Sequence, residues 1–115
     1  MRDFRSFFQT VARHPRMYVL SDTYVALVSF IAGFDAATEG ELLDGFDAWV
    51  ATASPAAGAS SFAWPVVVAS RTWEAILDGR NTIDAMPRTL QQEAKADLMR
   101  LLDEFLADRA TNAAG

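Results

Sequence analysis

The sequence predicts an all-α fold, a compact single-domain bundle of about five helices spanning residues 1–115. Two observations lead there: apolar residues recur at helical spacing in five separate stretches, and helix-capping and helix-stopping residues fall between those stretches. At 115 residues the chain is the size of one domain. Hydrophobic residues make up 51% and charged residues 22%, a globular composition rather than a disordered one.

The first helix is expected near 3–13. Phe4, Phe7, Phe8 and Val11 share one face, Arg2, Arg5 and Arg13 avoid it, and His14-Pro15 stops it, because the residue before a proline is pushed out of the α region. Arg16 to Leu20 reads as a connector. A second helix, near 22–37, would be capped by Ser21 or Asp22 and carries Tyr24, Leu27, Val28, Ile31 and Phe34 on its stripe, with Val25 and Phe30 beside it. So apolar a helix belongs at the centre. Gly33 inside it costs helix propensity, for which the close approach of a neighbouring helix would be a sufficient reason.

Thr38 and Glu41 have capping-box spacing, which predicts a third helix over 40–53 with Leu42, Leu43, Phe46, Trp49 and Val50 inward and Asp44 and Asp47 together outward. Ala51 to Ser61 is rich in Ala, Ser and Gly and reads as a flexible loop. Trp64-Pro65 then opens a fourth helix, near 65–78, with Gly79 as its stop; Val66-Val67-Val68 leaves a short strand as the alternative. The fifth helix, 87–108, carries Leu90, Ala94, Leu98, Leu101, Leu102, Phe105 and Leu106 on one face, after which the tail, about 110–115, should fray. The core is expected to centre on Phe8, Leu27, Ile31, Phe46, Trp73, Leu98, Leu102 and Phe105.

With no cysteine, the chain has no disulfide, thiolate metal site or cysteine nucleophile, and with His14 as its one histidine it has no histidine metal cluster. His14 is expected to serve the carbonyls at a helix end rather than catalysis. Asp44 with Asp47, and Asp103 with Glu104, are ordinary acidic pairs of a solvated helix face. No phosphate loop, nucleophile elbow or EF-hand spacing is present. These features predict a protein that is not an enzyme and takes no cofactor or metal. The longest uncharged apolar run, Tyr24 to Phe34, is eleven residues, against roughly 20 for a membrane span. The N-terminal residues lack a signal peptide's continuous apolar core, so a cytoplasmic location without membrane contact is the expectation.

The charge distribution is the informative feature. The net charge is −5, and from Met17 to Ser70 there are six acids and no Lys or Arg. An acidic surface repels phosphate, which disfavours nucleic acid as a partner, and attracts a basic protein. The candidate binding residues are Glu39, Glu41, Asp44 and Asp47, with Tyr18 and Trp64, both at element boundaries, as aromatic anchors. A solvated face that only aids solubility would carry the same charges.

The run Arg13-His14-Pro15-Arg16-Met17-Tyr18, then Leu27, Phe30, Gly33-Phe34 and Ala37, then Gly45-Phe46 and Trp49-Val50, with Trp73 to Leu77 and Leu101-Leu102-Asp103-Glu104-Phe105, resembles small bacterial immunity proteins of polymorphic or contact-dependent toxin systems. The resemblance covers about residues 4–106. The chain departs from the pattern with Val19-Leu20 after the tyrosine and with Phe34 in place of a tyrosine. It implies a protein that binds and neutralises a cognate toxin. Such toxins include basic nucleases, whose polyanionic substrates an acidic inhibitor would match in charge. The resemblance transfers no catalytic residue and no contact residue. A small homodimeric helical regulatory or scaffold protein is the competing expectation.

Overall fold

The computed structural model describes residues 3–54 and 62–114. Its helices are α1 Phe4–Arg13, α2 Pro15–Tyr18, α3 Tyr24–Ala37, α4 Phe46–Ala53, α5 Trp64–Ser70 and α6 Arg88–Ala114, with 3₁₀ turns at Glu74–Asp78 and Ile83–Ala85. The described residues contain no strand, so the fold is all-α and Val66-Val67-Val68 are helical. Residues 55–61 of the expected Ala51–Ser61 loop lie outside the described residues, as does Arg2; Ala51 to Ala53 close α4.

The long α6 is the spine. Its 27 residues, at about 1.5 Å each, match the longest dimension of the molecule, 40 Å. Helices α1, α3, α4 and α5 all pack against it. Ala94, Leu98, Leu101, Leu102, Phe105 and Leu106 are its buried face, as the leucine spacing predicts. The helix continues to Ala114, through the tail expected to fray. Ala107, Ala110, Ala113 and Ala114 supply the reason, since alanine has the highest helix propensity.

Two aromatic clusters fill the space around this spine. Phe34 of α3 stacks on Phe7 at 5.1 Å and receives Phe4 and Phe8 edge-on, which fastens α1 across α3. Phe46 meets Phe105 at 5.1 Å and Trp64 at 5.5 Å, which joins α4, α5 and α6. Seven of the eight expected core centres are buried. Trp73 is the exception: it is only partly buried, packed against the edge of the core. Tyr24, Leu42, Ile76 and Met86 are buried as well. Tyr24 is placed by two polar contacts, its hydroxyl donating to the Pro65 carbonyl at 2.7 Å and its N–H to Gln91 Oε1 at 2.6 Å. Burial pushes its phenol well above the ordinary value.

Four local expectations are corrected. Thr23, not Ser21 or Asp22, caps α3, its hydroxyl accepting from Ala26 N–H at 3.1 Å. Asp22 is drawn away instead to Lys95 and Gln92 on α6. Residues 15–18 are a turn of helix entered through Pro15, not a plain connector. The helix expected over 65–78 ends at Ser70, whose hydroxyl donates to the Val67 carbonyl at 2.6 Å. Trp73 then takes φ −133°, ψ 82°, and the chain resumes as a 3₁₀ turn closed by Gly79 at φ 81°. Gly33 serves no close approach: a Cβ there would meet nothing within 4 Å. His14 meets the end of α1 through its backbone N–H, which donates to the Thr10 and Val11 carbonyls.

No described helix is long and apolar enough to cross a membrane.

Candidate functional site

The acidic segment does not form the start of a helix. Thr38, expected to cap the next helix, closes the previous one: its N–H donates to the Phe34 and Asp35 carbonyls, both at 3.1 Å. Glu39 and Gly40 then adopt left-handed backbone conformations, φ 58° and 81°. The Gly40 N–H returns to the Asp35 carbonyl at 2.8 Å, a helix-ending turn that orients the next residues away from the α3 axis. A second left-handed residue, Gly45 at φ 89°, re-enters helix at Phe46. A helix over 40–53 is therefore wrong in its first six residues. The capping-box spacing is genuine, but glycines at 40 and 45 let the chain turn twice where alanine or leucine would have carried it on.

Three side chains hold the resulting loop. Leu42 is fully buried and anchors it to the core. Asp35, at the end of α3, accepts the Leu43 N–H on Oδ1 at 2.8 Å. Arg109 reaches across from α6, and its Nη1 donates to the carbonyls of Glu41 and Leu42 at 3.0 Å and of Asp44 at 3.2 Å. Its guanidinium carbon also lies 5.0 Å from the centre of the Phe105 ring, so a planar cation is sandwiched between an aromatic face and a ring of carbonyls.

Of the candidate residues, Glu39, Glu41 and Asp44 are exposed on this loop. Asp47 is displaced from the expected shared helix side. It lies in the first turn of α4, and its Oδ1 accepts the Trp64 N–H at 2.9 Å. It thereby supplies an acceptor at the start of α5, which has no cap from its own N-cap residue. The two aromatic anchors differ in exposure. Trp64 is buried, 8% exposed, against Phe46. Tyr18 is half-buried and turned inward, with its ring edge-on to Phe7 at 5.6 Å. Proline at the start of a helix marked Trp64 as a boundary residue, but a helix start over a core buries its first side chain as readily as it exposes it.

The other acidic pairs are likewise engaged in structure. Asp103 takes Arg5 Nε at 2.9 Å and Gln9 Nε2 at 3.2 Å, and the Arg5 hydrogen bond, followed by that of Gln9, holds its carboxyl below the ordinary value. Glu104 pairs with Arg100 at 3.1 Å, one turn back on α6. Asp108 accepts from Trp49 Nε1 at 2.9 Å. Among the described residues no group of three or more His, Cys, Asp or Glu could hold a metal ion.

Arg109 and Asp35 escape a reading of the sequence because they bind backbone groups. A carbonyl acceptor carries no residue signature, so no spacing rule points from Arg109 to residues 41–44. Compared with protein-family models, with curated proteins and with solved structures, the chain matches none.

Proposed function

We propose that this chain is a cytoplasmic binding protein that neutralises a cognate bacterial toxin by direct contact, and that the toxin presents a basic surface of the kind a nuclease uses for its substrate. The observation that carries the proposal is the acidic loop: Glu39, Glu41 and Asp44 are exposed on a backbone fixed at three carbonyls by Arg109. A fixed loop gives up little conformational freedom on binding, which lowers the entropic cost of the contact. Its charge speeds encounter with a basic partner and makes that encounter sensitive to salt. The proposal assigns the chain no catalytic residue, cofactor or metal.

The experiment is co-expression with a candidate toxin encoded beside this chain's gene, followed by pull-down and association kinetics. Glu39, Glu41 and Asp44 are the residues to reverse, to lysine; Asp47 is left alone, because its carboxylate supports α5. The triple variant should retain the helical spectrum, associate with the toxin at least about tenfold more slowly at low salt, and lose most of the salt dependence. A variant that associates at the wild-type rate and still protects cells would place the interface elsewhere and leave the acidic loop a solvated face.

A further inference from the structure

The chain holds two aspartyl-glycyl steps, Asp44-Gly45 and Asp78-Gly79, both exposed and both with the glycine left-handed, at φ 89° and φ 81°. In such a step the aspartate carboxyl can close on the next backbone nitrogen, because glycine has no Cβ to obstruct the approach. The two steps differ in what holds them.

At Asp78 the carboxylate is already engaged. Its Oδ1 accepts the Arg80 N–H at 2.8 Å, which commits it to the nitrogen one residue beyond Gly79. Among the described residues no side chain donates to the Asp78 carbonyl. At Asp44 the pattern is reversed. Among the described residues its carboxylate has no hydrogen-bond or ion-pair partner, and the Gly45 N–H donates to no acceptor. The constraint falls on the main chain instead, where Arg109 Nη1 lies 3.2 Å from the Asp44 carbonyl oxygen.

Closure joins the Gly45 nitrogen to Asp44 Cγ. A carboxyl oxygen leaves as water, carrying the carboxyl proton and the amide proton. In the cyclic imide that results, the nitrogen is bonded to two carbonyl carbons, Cγ and the main-chain carbon of residue 44. Water then opens one of those bonds. Attack at Cγ restores aspartate. Attack at the main-chain carbon leaves that carbon as a free carboxylate, returns a proton to the Gly45 nitrogen and releases another. The chain then runs through Cβ and Cγ, which is isoaspartate. The water lost in closure equals the water taken up in opening, so no oxidant or second substrate is required.

The oxygen that gains negative charge on the second route is the one Arg109 holds. A fixed cationic donor there works as an oxyanion donor does. Once the bond is broken, that oxygen belongs to a carboxylate, and a charge-assisted pair replaces a bond to a neutral carbonyl. Attack at Cγ puts the charge on the side-chain oxygens, which have no such donor. We propose that Asp44-Gly45 is a site of spontaneous aspartate isomerisation, and that Arg109 directs its imide to open towards isoaspartate. The product has one more backbone carbon in the acidic loop and an ion pair where Arg109 met a carbonyl. The modification concerns this chain alone and stands or falls independently of toxin binding.

Prolonged incubation of the whole chain at neutral pH in water enriched in heavy oxygen tests it. Each passage through the imide leaves a heavy oxygen in the residue, whichever way the ring opens. The ratio of labelled isoaspartate to labelled aspartate therefore reports the direction of opening separately from the rate of closure. Peptide mapping by electron-transfer mass spectrometry reads both residues. Residue 44 should gain more label than residue 78, whose carboxylate is held. A buried oxyanion donor changes a rate about 100-fold or more; at this screened, exposed position the ratio at residue 44 should be at least about threefold higher in the wild type than in Arg109→Met. The ratio at residue 78 should be the same in both proteins. Wild type unfolded in urea, where Arg109 no longer meets residue 44, should give the ratio of the variant, and this comparison does not depend on the variant's folding. A residue 44 without label, or with less than residue 78, overturns the site. A ratio at residue 44 that is equal in folded and unfolded wild type overturns the part given to Arg109.

Discussion

Arg109→Ala removes a single cation, and the structure says what should follow. Two Nη1 hydrogens are shared among three carbonyl oxygens, at 3.0, 3.0 and 3.2 Å. A hydrogen bond from a charged donor contributes about 1.5–3 kcal/mol net. The Glu41 and Asp44 carbonyls lie at exposed sites and regain water when Arg109 goes, whereas the Leu42 carbonyl is partly buried and regains less. Adding the lost cation–π contact with Phe105, worth up to about 1 kcal/mol, the expected destabilisation is about 2 kcal/mol. With an unfolding entropy near 2.1 cal/mol/K per residue, a chain of this length should lose about 8 °C in Tm. The loss should be local before it is global: amide hydrogen exchange at Leu42 to Gly45 should accelerate more than exchange at Leu98 or Leu102. Arg109→Lys keeps the charge but not the planar fork and should recover part of the loss; Arg109→Met keeps the packing on Phe105 but has no donor and should recover less. An Arg109→Ala protein with unchanged Tm and unchanged exchange over residues 41–45 would refute the assignment of Arg109 as the support of the loop.

Gly33→Ala should stabilise the fold by about 0.5–1 kcal/mol, raising Tm by about 2–4 °C, because the added methyl meets open space in a helix interior; a fall in Tm would mean that α3 has a close neighbour on that side. Leu102→Ala should cost about 2–5 kcal/mol in urea denaturation, since Leu102 is fully buried on the spine helix, and an unchanged midpoint would remove it from the core. The Arg5–Asp103 pair should show in the pH dependence. Asp103 is held below its ordinary value in the folded state, so its contribution is complete above the unfolded carboxylate pKa and is lost as pH falls through the folded one. Wild type should therefore lose stability more steeply than Asp103→Asn between about pH 5 and about pH 2, with the two converging at the acid end. Both partners are substantially exposed, so the difference should shrink in about 0.5 M salt; parallel curves would show that the pair contributes nothing to stability.

The helical stripes and the ends of α1 and α3 are legible in the sequence to within a few residues because the core repeats with the helix period. Phe4, Phe8 and Val11 are buried on α1, and Leu98, Leu102 and Phe105 on α6, as their spacing requires. The interruptions are less legible. Thr38 and Glu41 satisfy a helix-start pattern, but a threonine hydroxyl serves the end of one helix as well as the start of another. Here the Thr38 hydroxyl donates to the Asp35 carbonyl and accepts the Leu42 N–H. Nor does a stripe through Val66, Trp73 and Leu77 distinguish one helix from a helix followed by a 3₁₀ turn, because both can place those side chains inward. The candidate site was half legible: its acids are visible as six charges without a base between Met17 and Ser70, while their support is invisible because it acts on the backbone.

That mode of support bears on what the loop can do. Had Arg109 paired with a loop carboxylate, the ion pair would have neutralised the surface it was holding in place, and a basic partner would have had to displace it. By donating to the carbonyls of Glu41, Leu42 and Asp44, Arg109 fixes the backbone while it leaves the carboxylate oxygens to other partners. Asp47 and Asp35 spend their own carboxylates on backbone N–H groups, those of Trp64 and Leu43. The acids of this segment therefore divide by task. Asp35 and Asp47 hold the chain in place, and Glu39 and Asp44 set its surface potential. Removing one of the first kind should lower stability at any ionic strength. Reversing Glu39 and Asp44 should act on the rate of association with a basic protein in proportion to the charge removed.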